Sequence, residues 1–540
     1  MTSLHIKLTE YQRALRGLSM PEALDLAAAT HGGEVAIMHI EGGGPTLSWA
    51  EFRERVSRLR SGLQLAGVKA GDRVGVQLRN QVEFPLIWFA VAELGAAIVP
   101  MNPKYTTRES EFVLEDAGAS WLVAAADILE NYGDGDSYGP VARDRVITVA
   151  GQPVGPLTFE RLAQSDITPF AEYPDHDEVA NIQFTSGTTG LPKGCLLTHR
   201  YWIELGVWDA GLFDARRILA DHPFYYMQNQ AYLMTALASG GAICVTGGLS
   251  RRKFMGWLVD HQIDMAWIDE EMVDLPPSEN EGPLRLKRAP VAAVPPEGIA
   301  LLEQHFGIVA RDFYASTEVG NGTFVPWDRS DLAMKGSMGF CFPTREAKII
   351  DARLQEVPVG TAGELCLRGE GMMLGYHNRD EVNAELFLPG GWFRTGDIVR
   401  ADEEGALYYE GRLKDMVSRS GENIASAEVE LQILLMPEVN AVGVIPVPDR
   451  ERGEEVKAII VLKDGAQVSA EDVVEHARTG LAPFKVPRYV EFRADLPYTA
   501  SGKVHKAALK AEEPFNEATV DVTRPDTQSE ARSQTTAAGH

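Results

Sequence analysis

Thr185-Ser186-Gly187-Thr188-Thr189-Gly190-Leu191-Pro192-Lys193-Gly194 packs four hydroxyls, three glycines and one lysine into ten residues. Glycines let a ligand approach the backbone N–H groups closely, and the hydroxyls add further donors. One long-stemmed cation completes what a polyphosphate tail needs. The order differs from the Walker P-loop, G-x-x-x-x-G-K-[ST]. A plain Gly/Thr linker would explain neither the single Lys193 nor the buried-strand-like lead 180–184 into it.

Outward from this loop, elements alternate. Ser48 and Glu51 form a capping-box pattern, with Phe52, Val56, Leu59 and Leu63 following at helical spacing. A Gly71-Asp72 turn and a strand at 74–78 come next. The most apolar stretch, 84–101, is interrupted by Pro85, Glu93 and Gly95, so it reads as a buried helix and strand rather than a membrane span. Alternation of this kind to about residue 325 predicts an α/β fold with mainly parallel sheets covered by helices. From 347 to 409 short alternating runs broken by Gly and Asp predict a small antiparallel or barrel-like piece. After Gly411-Arg412-Leu413-Lys414-Asp415 the pattern is compact α+β, with helices at about 426 and 470–479 and strands at 442–446 and 457–462. The expected division is a large N-terminal domain over 1–412, a small mobile C-terminal domain over 413–511, and a disordered tail over 512–540.

A chain of 540 residues is too long for one core. Its net charge of −26 disfavours nucleic acid and anionic lipid as partners. It also repels ATP, so a nucleotide site needs its own local cations and N–H groups. Cys195, Cys244, Cys341 and Cys366 are scattered, and read as reduced, packed thiols of a cytoplasmic protein. Nothing in the pattern speaks for or against a homo-oligomer.

The 185–194 loop looks like the phosphate-binding motif of the adenylate-forming superfamily: acyl-CoA synthetases, luciferases and peptide-synthetase adenylation domains. Four more segments follow in that family's order, so the resemblance covers nearly the whole chain. Tyr314-Ala315-Ser316-Thr317-Glu318 resembles the family's Y-G-x-T-E, with Ala315 in place of the usual Gly. It implies an aromatic face for adenine, hydroxyls near the α-phosphate and a carboxylate for Mg²⁺. Asp312 stands where relatives place Asn or Gln against the adenine amine. Trp392-Phe393-Arg394-Thr395-Gly396-Asp397 implies that Asp397 accepts from the ribose hydroxyls. In 411–415, Arg412 is implied to contact ribose or phosphate, and Lys414 to be the hinge of the C-terminal domain. Pro497-Tyr498-Thr499-Ala500-Ser501-Gly502-Lys503 carries the implied catalytic Lys503, whose ammonium would bridge substrate carboxylate and α-phosphate.

The run Ser420-Gly421-Glu422-Asn423-Ile424 is similar to acyl-CoA ligases, nearest to a crotonobetaine/carnitine-CoA ligase-like branch, where this turn helps line the pantetheine tunnel. Ser418 replaces a lysine found in many relatives. Pro290-Val291-Ala292 stands near the family's Gly-Gly-Ala turn against adenine. The acyl pocket is expected from Tyr226, near the place of a family His, and from Gln228, Gln230 and Trp267, giving a polar wall. The implied enzyme is an AMP-forming acid–CoA ligase using ATP, Mg²⁺ and coenzyme A, acting through an acyl-adenylate. The alternatives are an adenylation enzyme that loads a carrier protein or other acceptor and, in a different class, a non-catalytic nucleotide-binding protein.

Overall fold

A computed structural model describes residues 4–133, 135–170, 172–185, 192–268, 283–292, 294–419, 422–450, 452–481, 483–498 and 504–523, with backbone only at 414, 418, 422, 423 and 425. Seven strands form the central sheet in the order Lys193–Thr198, Val179–Thr185, Ala97–Pro100, Arg73–Gln77, Trp121–Ala125, Val146–Val149, Leu157–Thr158. All neighbours run parallel except the first pair, which is an antiparallel hairpin. A second sheet orders Arg217–Ala220, Ala242–Val245, Val35–His39 and Thr46–Ser48.

Helices cover these sheets where the sequence caps them. The helix Trp49–Ala66 starts with Ser48 and Glu51 exchanging hydrogen bonds, and ends at Gly67 in the left-handed conformation. The apolar run 84–101 becomes the helix Glu83–Glu93, buried from Phe84 onward, and the buried strand Ala97–Pro100. Its one carboxylate, Glu93, is neutralised by Arg53 at 2.8 Å and Arg60 at 3.5 Å. Among the described residues no helix is long and apolar enough to cross a membrane. The four cysteines are free and buried.

The antiparallel texture expected from 347 begins earlier. Nine strands form one sheet, running from Arg288–Val291 and Val309–Ser316 through Gly320–Phe324 and Ser337–Cys341 to Leu407–Arg412, Trp392–Ala401, Gly363–Gly369 and Arg345–Ile350, with Phe387–Leu388 on its flank. The strands carrying Tyr314, Asp397 and Arg412 therefore belong to a single sheet.

The smaller C-terminal unit is a six-stranded sheet around the long hairpin Val439–Asp449/Gly453–Leu462, with the helices Ser426–Leu434 and Ala470–Gly480. The tail expected to begin at 512 does not begin there. Residues 519–521 pair antiparallel with Tyr489–Arg493, and Lys457 donates to Pro514 O at 2.8 Å and Thr519 Oγ1 at 3.1 Å. The buried Lys457–Glu491 pair, at 2.6 Å, needs those further acceptors, which is why a polar segment without periodicity is held down. Residues 524–540 lie outside the described residues.

Candidate active site

Thr185 ends a central strand and Lys193 begins its antiparallel partner, and the two are direct register partners. Thr185 and Lys193 thus stand at the carboxyl edge of a parallel sheet, where α/β folds bind ligands. A Cβ on Gly194 would stand 2.6 Å from Ile182 Cγ2, so glycine lets the two strands close. Ser186, Gly187, Thr188, Thr189 and Gly190 lie outside the described residues.

The Lys193 ammonium lies over the ring of Tyr376, 5.1 Å from its centroid. The Tyr376 hydroxyl donates to Glu318 Oε1 at 2.7 Å. A backbone ladder holds this group together: Leu196 donates to Gly375 O, His377 to Gly194 O and Met373 to Glu318 O, each within 3.0 Å. Burial, and then the Glu318 charge, raise the Tyr376 pKa far above that of an ordinary phenol, so it stays a donor. Sequence reasoning missed Tyr376. A Gly-Tyr in a loop carries no signal until its strand-like pairing with Cys195 is known.

Four residues before Glu318, Tyr314 anchors a second cluster. Its ring lies across the neighbouring strand, where a Cβ on Gly322 would be 2.6 Å from Tyr314 Cδ1. The phenol donates to Asp397 Oδ2 at 2.7 Å, and Arg412 Nε lies 2.7 Å from Asp397 Oδ1. Asp397 is 2% exposed, and its amide is capped by Thr395 Oγ1 at 3.1 Å. Asp312 shares the face of Tyr314 by strand alternation, and Ala315 is exposed. The Ser316 hydroxyl accepts from Val319 N–H at 3.4 Å, which steadies the Thr317–Glu318 turn. Val291, in the segment that departs from the family's Gly-Gly-Ala, pairs in register with Asp312 as an ordinary strand residue.

Past Arg412 the chain makes one 3₁₀ turn, Leu413–Asp415, containing Lys414. Asp415 already belongs to the smaller unit: its carboxylate meets Lys510 at 3.0 Å and its carbonyl accepts from Ser426 Oγ. Lys503, Ser420 and Gly421 lie outside the described residues, and Glu422 begins the strand Glu422–Ala425.

On the acyl side, Tyr226 caps the helix Met227–Ser239, with its ring centroid 4.7 Å from that of Tyr225. Gln228 donates to the Tyr232 hydroxyl at 3.2 Å. Trp267 is half-buried, edge-on to Phe313 at 6.0 Å. Gln230 is a correction, because it does not form a polar pocket wall. Fully buried, it donates to Phe224 O at 2.8 Å, and to Gln183 Oε1 and Tyr226 O at 3.2 Å. It also accepts from Asn181 at 2.7 Å. Asn181 Oδ1 in turn takes the indole N–H groups of Trp88 and Trp202. Both ends of the Gln230 amide, its NH₂ and its carbonyl oxygen, are committed to scaffold.

Another group had no sequence signal. Asp209, buried in the helix His199–Phe213, accepts from Asn321 Nδ2 at 2.8 Å, and burial pushes its pKa up to about 8. Among the described residues, the cluster with metal-ligand geometry is Asp175, His176 and Asp177, exposed in part and already engaged by Arg200. Glu318 instead offers one carboxylate, bonded to the Tyr376 hydroxyl whose ring carries the Lys193 ammonium. That suits Mg²⁺, which takes one or two carboxylates and completes its shell with water and substrate phosphates.

The AMP-binding enzyme family model matches residues 24–377, and the AMP-binding enzyme C-terminal domain matches residues 428–503. Crotonobetaine/carnitine–CoA ligases of Escherichia coli and Shigella sonnei are 29% identical over 516 residues, 92% of this chain and 99% of theirs. ATP-bound MatB from Rhodopseudomonas palustris shares the fold with a TM-score of 0.80 at 24% identity, over 91% of this chain and 98% of that one. So does Bacillus subtilis o-succinylbenzoate CoA synthetase (MenE) with its acyl-adenylate intermediate, with a TM-score of 0.80 at 24% identity, over 92% of this chain and all of that one. The chain belongs to the AMP-binding enzyme family, and is an adenylate-forming ligase of the acid–thiol class.

Proposed function

From that membership we propose that the enzyme activates a carboxylic acid as its acyl-adenylate, releases pyrophosphate, and then forms the thioester with coenzyme A. One observation carries the reading. Tyr314 and Glu318, four residues apart at one strand end, anchor two different clusters, Asp397–Arg412 and Tyr376–Lys193. A nucleoside fits the first and a triphosphate tail the second.

Tyr314 offers its face to adenine, and Asp397, steered by Arg412, accepts from the ribose hydroxyls. Thr185, the hairpin that follows it and Lys193 hold the phosphates. Glu318 would hold Mg²⁺, which when bound would neutralise charge on the phosphate oxygens. The substrate carboxylate attacks the α-phosphorus in line. Its new O–P bond forms as the bond to pyrophosphate breaks, and the leaving charge falls on Lys193 and the hairpin N–H groups. The Lys503 ammonium offsets the repulsion between the two reacting anions. Lys414 is the pivot about which the unit that follows it, including the Thr519–Asp521 strand, then turns against 1–412, withdrawing Lys503 and bringing Ser420, Gly421 and Glu422 beside the pantetheine thiol.

For the acid, a quaternary-ammonium carboxylate comes first, supported by relatives named for crotonobetaine and carnitine. Tyr226, Gln228 and Trp267 remain the acyl-pocket candidates. The test is AMP release from MgATP over a panel of betaine, aliphatic and aromatic acids, with and without coenzyme A. AMP that appears with an acid and accelerates with coenzyme A is the expected result. AMP indifferent to coenzyme A would transfer the second step to another acceptor, and betaines no better than plain acids would remove the substrate assignment.

A further inference from the structure

We infer that Tyr376 is a positioning residue for the metal–phosphate end of the site, and that it acts through Glu318 and Lys193 at once. The inference rests on the MgATP-dependent reading above.

The phenol is held from several directions. Its backbone N–H donates to Asn383 Oδ1 and its carbonyl accepts from Asn383 Nδ2, both at 2.8 Å, so one side-chain amide clamps both edges of the residue. Cys195 bridges it to the strand that starts at Lys193. Backbone bonds on either side, Met373 N–H to Glu318 O at 3.0 Å and His377 N–H to Gly194 O at 2.8 Å, tie the same loop to both partners. With the backbone fixed this way, the hydroxyl bond to Glu318 is left to set the ring's own torsions, and little freedom remains to be lost when ligand arrives.

The hydroxyl engages Glu318 Oε1, and among the described residues Oε2 has no hydrogen-bond partner. A carboxylate with one oxygen steered by a neutral donor presents the other in a set direction, as outer-shell partners do for metal ligands. The ring meanwhile gives the Lys193 ammonium a resting place 5.1 Å from its centroid. Lys193 and Glu318 would otherwise be free to pair with each other and compete with phosphate and metal. Tyr376 stands between them, bonding one through its hydroxyl and the other through its face.

The experiment is calorimetric titration of ATP into wild type and Tyr376→Phe, with Mg²⁺ and with chelator, alongside melting curves. Loss of one hydrogen bond to a carboxylate should weaken MgATP binding roughly tenfold while metal-free ATP binds as before. A merely structural tyrosine would lower the melting temperature and leave the Mg²⁺ dependence unchanged, which overturns the inference. Wild type that binds no MgATP at all overturns the functional reading and this inference with it. Should Tyr376→Phe not fold, 3-fluorotyrosine at position 376 preserves shape. Its fluorine resonance is expected to move when Mg²⁺ is added to the ATP complex, and a resonance blind to Mg²⁺ sinks the proposal.

Discussion

Asp397 and Arg412 are register partners across the antiparallel strands Trp392–Ala401 and Leu407–Arg412, and their side chains close a 2.7 Å ion pair over the Tyr314 phenol. Arg412 is about half exposed whereas Asp397 is buried, so solvent screens the pair from the Arg412 side only. The value of the pair is orientation, because a carboxylate bonded by the Tyr314 phenol and set against the Arg412 guanidinium has its remaining lone pairs aimed. Asp397→Asn and Arg412→Ala should each raise the KM for ATP about tenfold in pyrophosphate exchange, with kcat changing less. An unchanged KM in Asp397→Asn would remove Asp397 from the ribose site.

Lys503→Ala separates the half-reactions. Adenylation should fall by about two orders of magnitude or more, because the ammonium is used while two anions are forced together. Thioester formation from supplied acyl-adenylate should stay near the wild-type rate. Equal loss in both assays would contradict the division of labour proposed for the C-terminal unit.

Asp209 makes stability depend on pH. Its carboxyl titrates near 8 when folded, against an ordinary 3.8, because burial disfavours the charge. A raised folded pKa means that the contribution is whole below about 3.8 and is lost progressively until pH passes about 8. Across that window the loss is at most about 1.4 kcal/mol per pH unit. Asp209→Asn keeps the shape and cannot ionise. Its melting temperature relative to wild type should therefore rise between pH 5 and pH 8, and a pH-independent difference would show that Asp209 does not titrate in this range.

Two truncations distinguish the packed part of the C-terminal segment from the remainder. Ending the chain at Thr523 should leave the melting temperature unchanged. Ending it at Ala511 removes the acceptors of Lys457 and the Asp521 partner of Arg488, and should cost about 1–3 kcal/mol. Equal stability of the two would mean that the Thr519–Asp521 strand contributes nothing.

The motifs were legible because each packs its chemistry into one continuous segment, and because the strands that carry them announce themselves locally by apolar runs and turns. Tyr376 was not, since its meaning depends on a carboxylate 58 residues away and on a strand pairing that no local pattern reveals. Gln230 was misread for a related reason. A polar residue near an expected pocket has the same sequence signature whether it faces substrate or closes a buried amide network, and its partners Asn181 and Gln183 lie on another element. The strand Thr519–Asp521 is too short to show an alternation, and it is recruited by a buried lysine rather than by its own apolar face. Asp209 looked like any helix acid until the packing around it became visible.

Arg412 is tied to Asp397 and Asp415 is tied to Lys510 and Ser426, which leaves Leu413 and Lys414 as the span between two anchored points. Two residues offer only four soft torsions. Such a joint is a swivel and not a leash: it admits few orientations, and none in which the smaller unit wanders far from the nucleotide. Under the proposed rotation, Lys503 and the 420–422 turn take turns at one station, so adenylation and thiol entry exclude each other in time. The enzyme then keeps its reactive anhydride under cover without needing a second chamber, a lid or a partner to schedule the exchange.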